Sequence, residues 1–281
     1  MIQGVMTLWF ILTALSTLFV AYDLLVNTPA MGVMKVGWIL VILYTGPLGL
    51  FIYFLSCREP LPYTHERFVA PLWKQAVGST IHCLAGDATG IIIIAVLISR
   101  FGFPRAVEIA LEYAGGFIFG LFIFQALFMK GMMGGSYFTA VGRTVLPEWL
   151  SMNAIMAGMI PVMVALAGRI AASEPPKPAF WWIMSMATIV GGVVAFPVNR
   201  WLVANGLKHG MGTVRAIGRG GHSIEQERDV TGQHSKMDVH GGHVPAQETG
   251  KVALARLVTV SALTVLMLIA GVFVAYLLGI S

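Results

Sequence analysis

Long apolar runs alternate along the chain with short polar connections. A bilayer core is about 30 Å thick and a helix rises about 1.5 Å per residue, so a span needs roughly 20 apolar residues. Seven runs meet that length, at about 5–26, 35–56, 76–99, 106–129, 150–172, 179–203 and 252–279. Only helices or closed barrels satisfy every backbone group in lipid, and these runs lack the alternation of barrel strands. The predicted class is therefore all-α, a polytopic transmembrane helix bundle of about seven helices. The first run exceeds a signal-peptide core and has neither a basic leader nor an A-x-A cleavage site, so it is expected to be retained as a span. Residues 1–203 would form a six-helix transmembrane region, 204–251 a hydrophilic His- and Gly-rich loop, and 252–281 the seventh helix. The 204–251 stretch has too little apolar surface to fold alone, and Lys208, Arg215 and Arg219 are expected near lipid headgroups. No internal repeat supports an inverted-repeat architecture.

Composition sharpens this picture. Hydrophobic residues make up 57% of the 281 and charged ones 11%, where soluble chains carry roughly a quarter charged. A net charge of +5 suits anionic headgroups, and its basic residues are scattered over short loops, with no basic, aromatic-interleaved stripe for nucleic acid. The lipid bilayer is the expected partner and nucleic acid is excluded. Arg58, Arg67, Lys74, Lys130, Arg143 and seven more basic residues from Arg200 to Lys251 fall on one side, against five on the other. The positive-inside rule then puts the N-terminus and the 204–251 loop in the cytoplasm and the C-terminus outside, in a bacterial or archaeal inner membrane. With only Cys57 and Cys83, no disulfide framework is expected.

Ionisable residues inside the runs carry the functional expectations, because a carboxylate at mid-membrane costs at least ~2.5 kcal/mol. Asp87 falls near the middle of the third run, within His82-Cys83-Leu84-Ala85-Gly86-Asp87-Ala88-Thr89-Gly90. Cys83 and Asp87 stack one turn apart, and Gly86 with Gly90 has the spacing of a close helix contact. Imidazole, thiolate and carboxylate are ligands that zinc or copper accepts, while the alternative is a helix contact with Asp87 protonated or hydrogen-bonded across it. In the fourth run Glu108 is expected at the interface and Glu112 deeper, with Gly116 and Gly120 again at close-approach spacing. If the third and fourth runs are antiparallel neighbours, His82, Asp87 and Glu112 lie at successive depths, as a proton or cation path requires.

Met152, Met156, Met159 and Met163 recur at spacings that hold their thioethers within about 60° on one helix face. Thioethers are soft ligands for copper(I), although methionine also fills gaps in apolar cores. Met132 and Met133 precede the stripe, and Pro161 is expected to kink the helix. Five of the seven histidines fall in the long loop: His209, His222, His234, His240 and His243, a tract that can recruit metal or serve as a solvated linker. No Walker A, nucleophile-elbow, dinucleotide-binding or zinc-protease motif occurs, and one intramembrane histidine does not make a haem pair. The chain is not expected to be an enzyme, and no catalytic residue is assigned.

HCLAGDATG at 82–90, SMNAIMAGM at 151–159 and AFPVNRWLVANGLKHG at 195–210 together resemble the membrane family known as domain of unknown function 4396, over about residues 75–215. The resemblance implies a second cysteine just after the H-C-x-A-G element in many relatives, where this chain has Asp87, a departure that weakens a shared two-thiol site. The resemblance implies fold more than reaction. Read from the residues alone, Pro197, Asn199 and Arg200 look like a helix-end device, with Arg200 snorkelling and Trp201 at the interface.

These features frame three expectations. In the first, the protein binds or transports a soft transition metal, with copper as the candidate ion. His222, His234, His240 and His243 would receive it, the Met152–Met163 stripe conduct it, and His82, Cys83 and Asp87 form the intramembrane site. The second is a proton-coupled small-solute transporter that titrates at Asp87 and Glu112. The third is an accessory or assembly subunit that docks on partner membrane subunits.

Overall fold

A computed structural model describes residues 2–61, 64–126, 136–170, 174–210 and 254–280. The described chain is all-helical: α1 (Ile2–Val26), α2 (Gly32–Ser56), a short α3 (His65–Val69), α4 (Leu72–Ile98), α5 (Arg105–Phe119), α6 (Tyr137–Arg169), α7 (Pro178–Ala204) and α8 (Leu254–Ile280). α5 continues as one wider π-helical turn, Gly120–Gln125. Seven helices are long and apolar enough to cross a membrane, as the hydrophobic runs predict.

Helix boundaries follow local chemistry. Pro71 and Pro104 precede α4 and α5, and Pro178 opens α7, where its missing N–H costs nothing. α2 breaks at Gly46 (φ 57), immediately before Pro47, whose ring cannot continue the hydrogen-bond ladder. A side chain on Gly46 would also run into Thr13 Oγ1 of α1.

The largest departure from the hydropathy pattern is α6. It starts at 137, well before the predicted 150, because Arg143, Pro147 and Glu148 depress the hydropathy of its first three turns. Glu148 is thereby inside a helix and not in a connecting loop.

Burial ranks the helices. α4, α6 and α7 have 67%, 61% and 56% of their most apolar window buried, against 22% for α1 and 11% for α8. The first three are the interior, and α4 packs on both α5 and α7. α1 lies on α2, and α8 lies along α6. Their outward residues, such as Leu8, Leu15 and Leu18 on α1 or Leu266, Ile269 and Phe273 on α8, are large, apolar and exposed, as lipid requires.

Candidate functional site

Where α4, α5, α6 and α7 meet, the apolar interior is interrupted by charge. Asp87 and Cys83 come from α4, Gln125 from the π turn, Glu148 from α6, Asn199 from α7 and Lys208 from the chain just beyond it. All six are buried.

Glycine spacing makes the room. Gly86 faces the Cα of Gly120, and Gly90 faces the Gly115 carbonyl and the Gly116 Cα, so α4 and α5 approach backbone to backbone. A Cβ on Gly120 would land on Asp87 Oδ1 and within 2.6 Å of Glu148 Oε1. Gly120 is therefore the position that lets two carboxyl groups share one space. The π turn begins there and carries Gln125 into the site, and Tyr137 donates to the Phe122 carbonyl within it at 2.6 Å. Such turns concentrate at functional positions.

Lys208 is delivered by a helix ending. Leu207 N–H donates to the Leu202 carbonyl at 2.9 Å and Gly206 N–H to Val203 at 3.1 Å, the paired bonds of a Schellman turn, with Gly206 at φ 68. This turn sends the chain back against the bundle. Lys208 Nζ then donates to Glu148 Oε2 at 3.1 Å, Asn199 Oδ1 at 3.2 Å and Cys83 Sγ at 2.6 Å, one acceptor for each ammonium proton. Burial weighs against its charge, but Cys83 and Glu148 outweigh it and hold the ammonium above the ordinary lysine range. Its expected place among headgroups is thus corrected: the turn and two carboxyls draw it inward.

Gln125 Nε2 bridges Glu148 Oε2 at 2.7 Å and Cys83 Sγ at 3.3 Å, and Ser151 Oγ donates to Asn199 Oδ1 at 3.0 Å. Glu148 Oε2 is well supplied with donors. Glu148 Oε1 and both oxygens of Asp87 are not: no donor reaches them among the described residues. Their partners are each other, carboxyl against carboxyl. Two carboxylates in contact inside a low dielectric cannot both stay ionised, so a single ammonium leaves the pair sharing one proton.

A small cavity of about 10 Å³, room for one water, adjoins this cluster. Ser79, His82, Gln125, Thr144, Lys208 and His209 line it. The His82 ring meets Phe124 edge-on at 5.8 Å. Burial holds the His209 imidazole below its ordinary range.

The expected residues divide accordingly. His82, Cys83 and Asp87 are buried together on α4, yet among the described residues no three His, Cys, Asp or Glu side chains form a group able to hold a metal ion. Glu112 is also buried, and the antiparallel α4–α5 pairing orders His82, Asp87 and Glu112 by depth. Its nearest charges are Arg105 and Glu108, however, and the carboxyl that meets Asp87 is Glu148. Met152, Met156, Met159 and Met163 all face the interior: the Met152 methyl lies against Gly116 and Met159 against Gly191 of α7. Asn199, expected as part of a helix-end device, is an acceptor for Lys208. Met132, Met133, His222, His234, His240 and His243 lie outside the described residues.

Glu148, Lys208, Gln125 and a second buried carboxylate, Asp23, were not singled out by the pattern of apolar runs. Asp23 could have been found by the rule that flags Asp87, since it too lies within a run.

A family model described as a domain of unknown function, DUF4396, matches residues 72–208. Residues 72–208 are thus a DUF4396 region. The matched boundaries coincide with the start of α4 and with Lys208 itself, so the DUF4396 region contains every member of the charged cluster and omits α1, α2 and α8. No curated protein and no solved structure matches the chain.

Proposed function

We propose that this membrane protein couples reversible protonation of the Asp87–Glu148 pair to passage of a small solute or ion through its bundle. The observation that supports this reading is the cluster's charge count: two buried carboxyls in contact, one ammonium, and a water-sized cavity beside them. A pair that holds exactly one shared proton gains or loses it at modest cost once a second cation approaches, which is the property a coupled carrier uses. The cavity is lined by Lys208 and His209 from the chain that follows α7.

Infrared difference spectroscopy of the purified protein tests the protonated pair. A buried carboxylic-acid band at neutral pH, lost in both Asp87→Asn and Glu148→Gln, is expected. Proton flux in liposomes with an internal pH dye tests coupling, with sodium, potassium, methylammonium or zinc added outside. Flux that none of these ions evokes, or that Asp87→Asn leaves unaltered, removes the reading.

A soft transition metal such as copper is the second reading. It is favoured by the burial of all four stripe methionines, with Met152 one turn from the Gly120 cradle. Copper bound by the purified wild type and absent from a variant lacking His82, Met152 and Met156 would support it, and equal content would end it.

A further inference from the structure

Three groups compete for an assignment beyond that reading: the Asp23 cluster between α1 and α2, the exposed faces of α1 and α8, and the acceptors around Lys208. The Asp23 carboxylate is already ringed by Asn27, Thr28, Tyr53 and Arg58. Nothing in the structure shows what besides lipid covers α1 and α8. The acceptors around Lys208 carry further.

We propose that the cage formed by Cys83 Sγ, Glu148 Oε2 and Asn199 Oδ1 is a binding site for a small primary ammonium ion, with Lys208 as a tethered occupant that the substrate replaces. This inference rests on the coupled-carrier reading and names its substrate class.

The cage recognises –NH3+ in detail. Each of three acceptors takes one proton of Nζ, a pattern that a quaternary ammonium cannot reproduce. The acceptors come from α4, α6 and α7, none of which depends on Lys208 for its own ladder. Lys208 follows the Gly206 turn, where its N–H donates to the Leu202 carbonyl at 3.3 Å, and its side chain can swing out by rotation while that backbone bond stays in place. The cavity lined by Ser79, His82, Gln125, Thr144 and His209 touches Lys208 and has room for one water, so withdrawal of the Lys208 side chain supplies the remaining space for another cation.

A second, independent observation points the same way. The Asp87 carboxyl is wholly buried, is aimed at the cluster and lacks any donor other than the proton it shares with Glu148. The cluster therefore has more negative capacity than Lys208 neutralises. Exchange of Lys208 for a substrate ammonium keeps the charge constant. Loss of the shared proton adds a second carboxylate and tightens the hold on the incoming cation, so binding and protonation oppose each other by linkage. No covalent bond changes in this exchange.

The test uses the full chain with Cys57→Ala, which leaves Cys83 as the one thiol, in wild-type and Lys208→Ala forms. Modification of Cys83 by methyl methanethiosulfonate in Lys208→Ala is expected to be slowed by methylammonium but not by tetramethylammonium. Lys208→Gln replaces it if the alanine form does not fold. In the form that retains Lys208, the thermal midpoint is expected to rise with methylammonium relative to tetramethylammonium. The apparent affinity there is weaker by about tenfold or more, because the site is vacant for only a fraction of the time. Protection that does not discriminate the two ions overturns the proposal. So does a methylammonium effect confined to the Lys208 variants, which would make the cage a lysine socket only. The infrared band reports separately: if it is absent while methylammonium binds, the protonated pair fails and the ammonium site stands.

Discussion

Asp23 and Asp87 are excluded from solvent alike, at 1% and 0% exposed, yet they are bonded in opposite ways. Asp23 Oδ1 accepts from Asn27 at 2.9 Å and pairs with Arg58 at 3.1 Å, while Oδ2 accepts from Tyr53 at 2.7 Å and Thr28 at 3.3 Å. Thr28 Oγ1 also lies 2.9 Å from the Tyr53 hydroxyl, so Asp23 is ringed by a connected set of polar groups, and Tyr53 is itself wedged edge-on against Trp38 at 5.2 Å. Among the described residues Asp87 has no donor but a neighbouring carboxyl. The first carboxylate ties the end of α1 to α2 and is complete as it stands. The second is incomplete without a proton or a cation. Burial of an acid is thus not informative until its lone pairs are counted.

The contrast can be broken in four places. Lys208→Met should cost most, about 3–5 kcal/mol in an unfolding titration, because it strands a buried carboxylate, and adding Glu148→Gln should recover most of the loss. If the double variant is as unstable as the single one, the pair is not what Lys208 serves. Asp23→Ala comes next at about 1–3 kcal/mol, as it leaves one buried hydroxyl donor of the bonded Tyr53–Thr28 pair without an acceptor. Gly120→Ala should cost about 1–3 kcal/mol through overpacking and also alter the shared-proton band, since its Cβ falls between the two carboxyls. Gly142→Ala, with nothing within 4 Å, is the matched control and should change neither. Asp87→Asn should have the smallest effect on stability, within about 1 kcal/mol of wild type or slightly more stable, because the amide supplies the donor that Glu148 Oε1 lacks. A loss as large as that of Asp23→Ala would erase the distinction between the two acids.

Much of the fold was legible in hydropathy alone, since lipid admits so few solutions: seven runs gave seven helices. The paired glycines Gly86, Gly90, Gly116 and Gly120 also announced the α4–α5 contact, and Asp87 announced itself by cost. The rest of the site was hidden for identifiable reasons. Glu148 sits after Pro147 in a stretch whose hydropathy reads as a loop. Lys208 lies beyond the end of a span, where a basic residue ordinarily meets headgroups, and only the Gly206 turn redirects it. Gln125 depends on a π turn that no simple period predicts. Helix rotation decides whether Asp87 meets Glu112 or Glu148, and rotation is set by packing among helices distant in sequence.

The turn at Gly206 also orders events during synthesis. Glu148 emerges 60 residues before the lysine that neutralises it, and Cys83 precedes that lysine by 125. Through the insertion of α4, α5 and α6 the two acids lack the ammonium that Lys208 supplies in the finished bundle. Lys208 spares α7 an insertion penalty by lying outside it, and can be seated only after the helices have assembled around its socket.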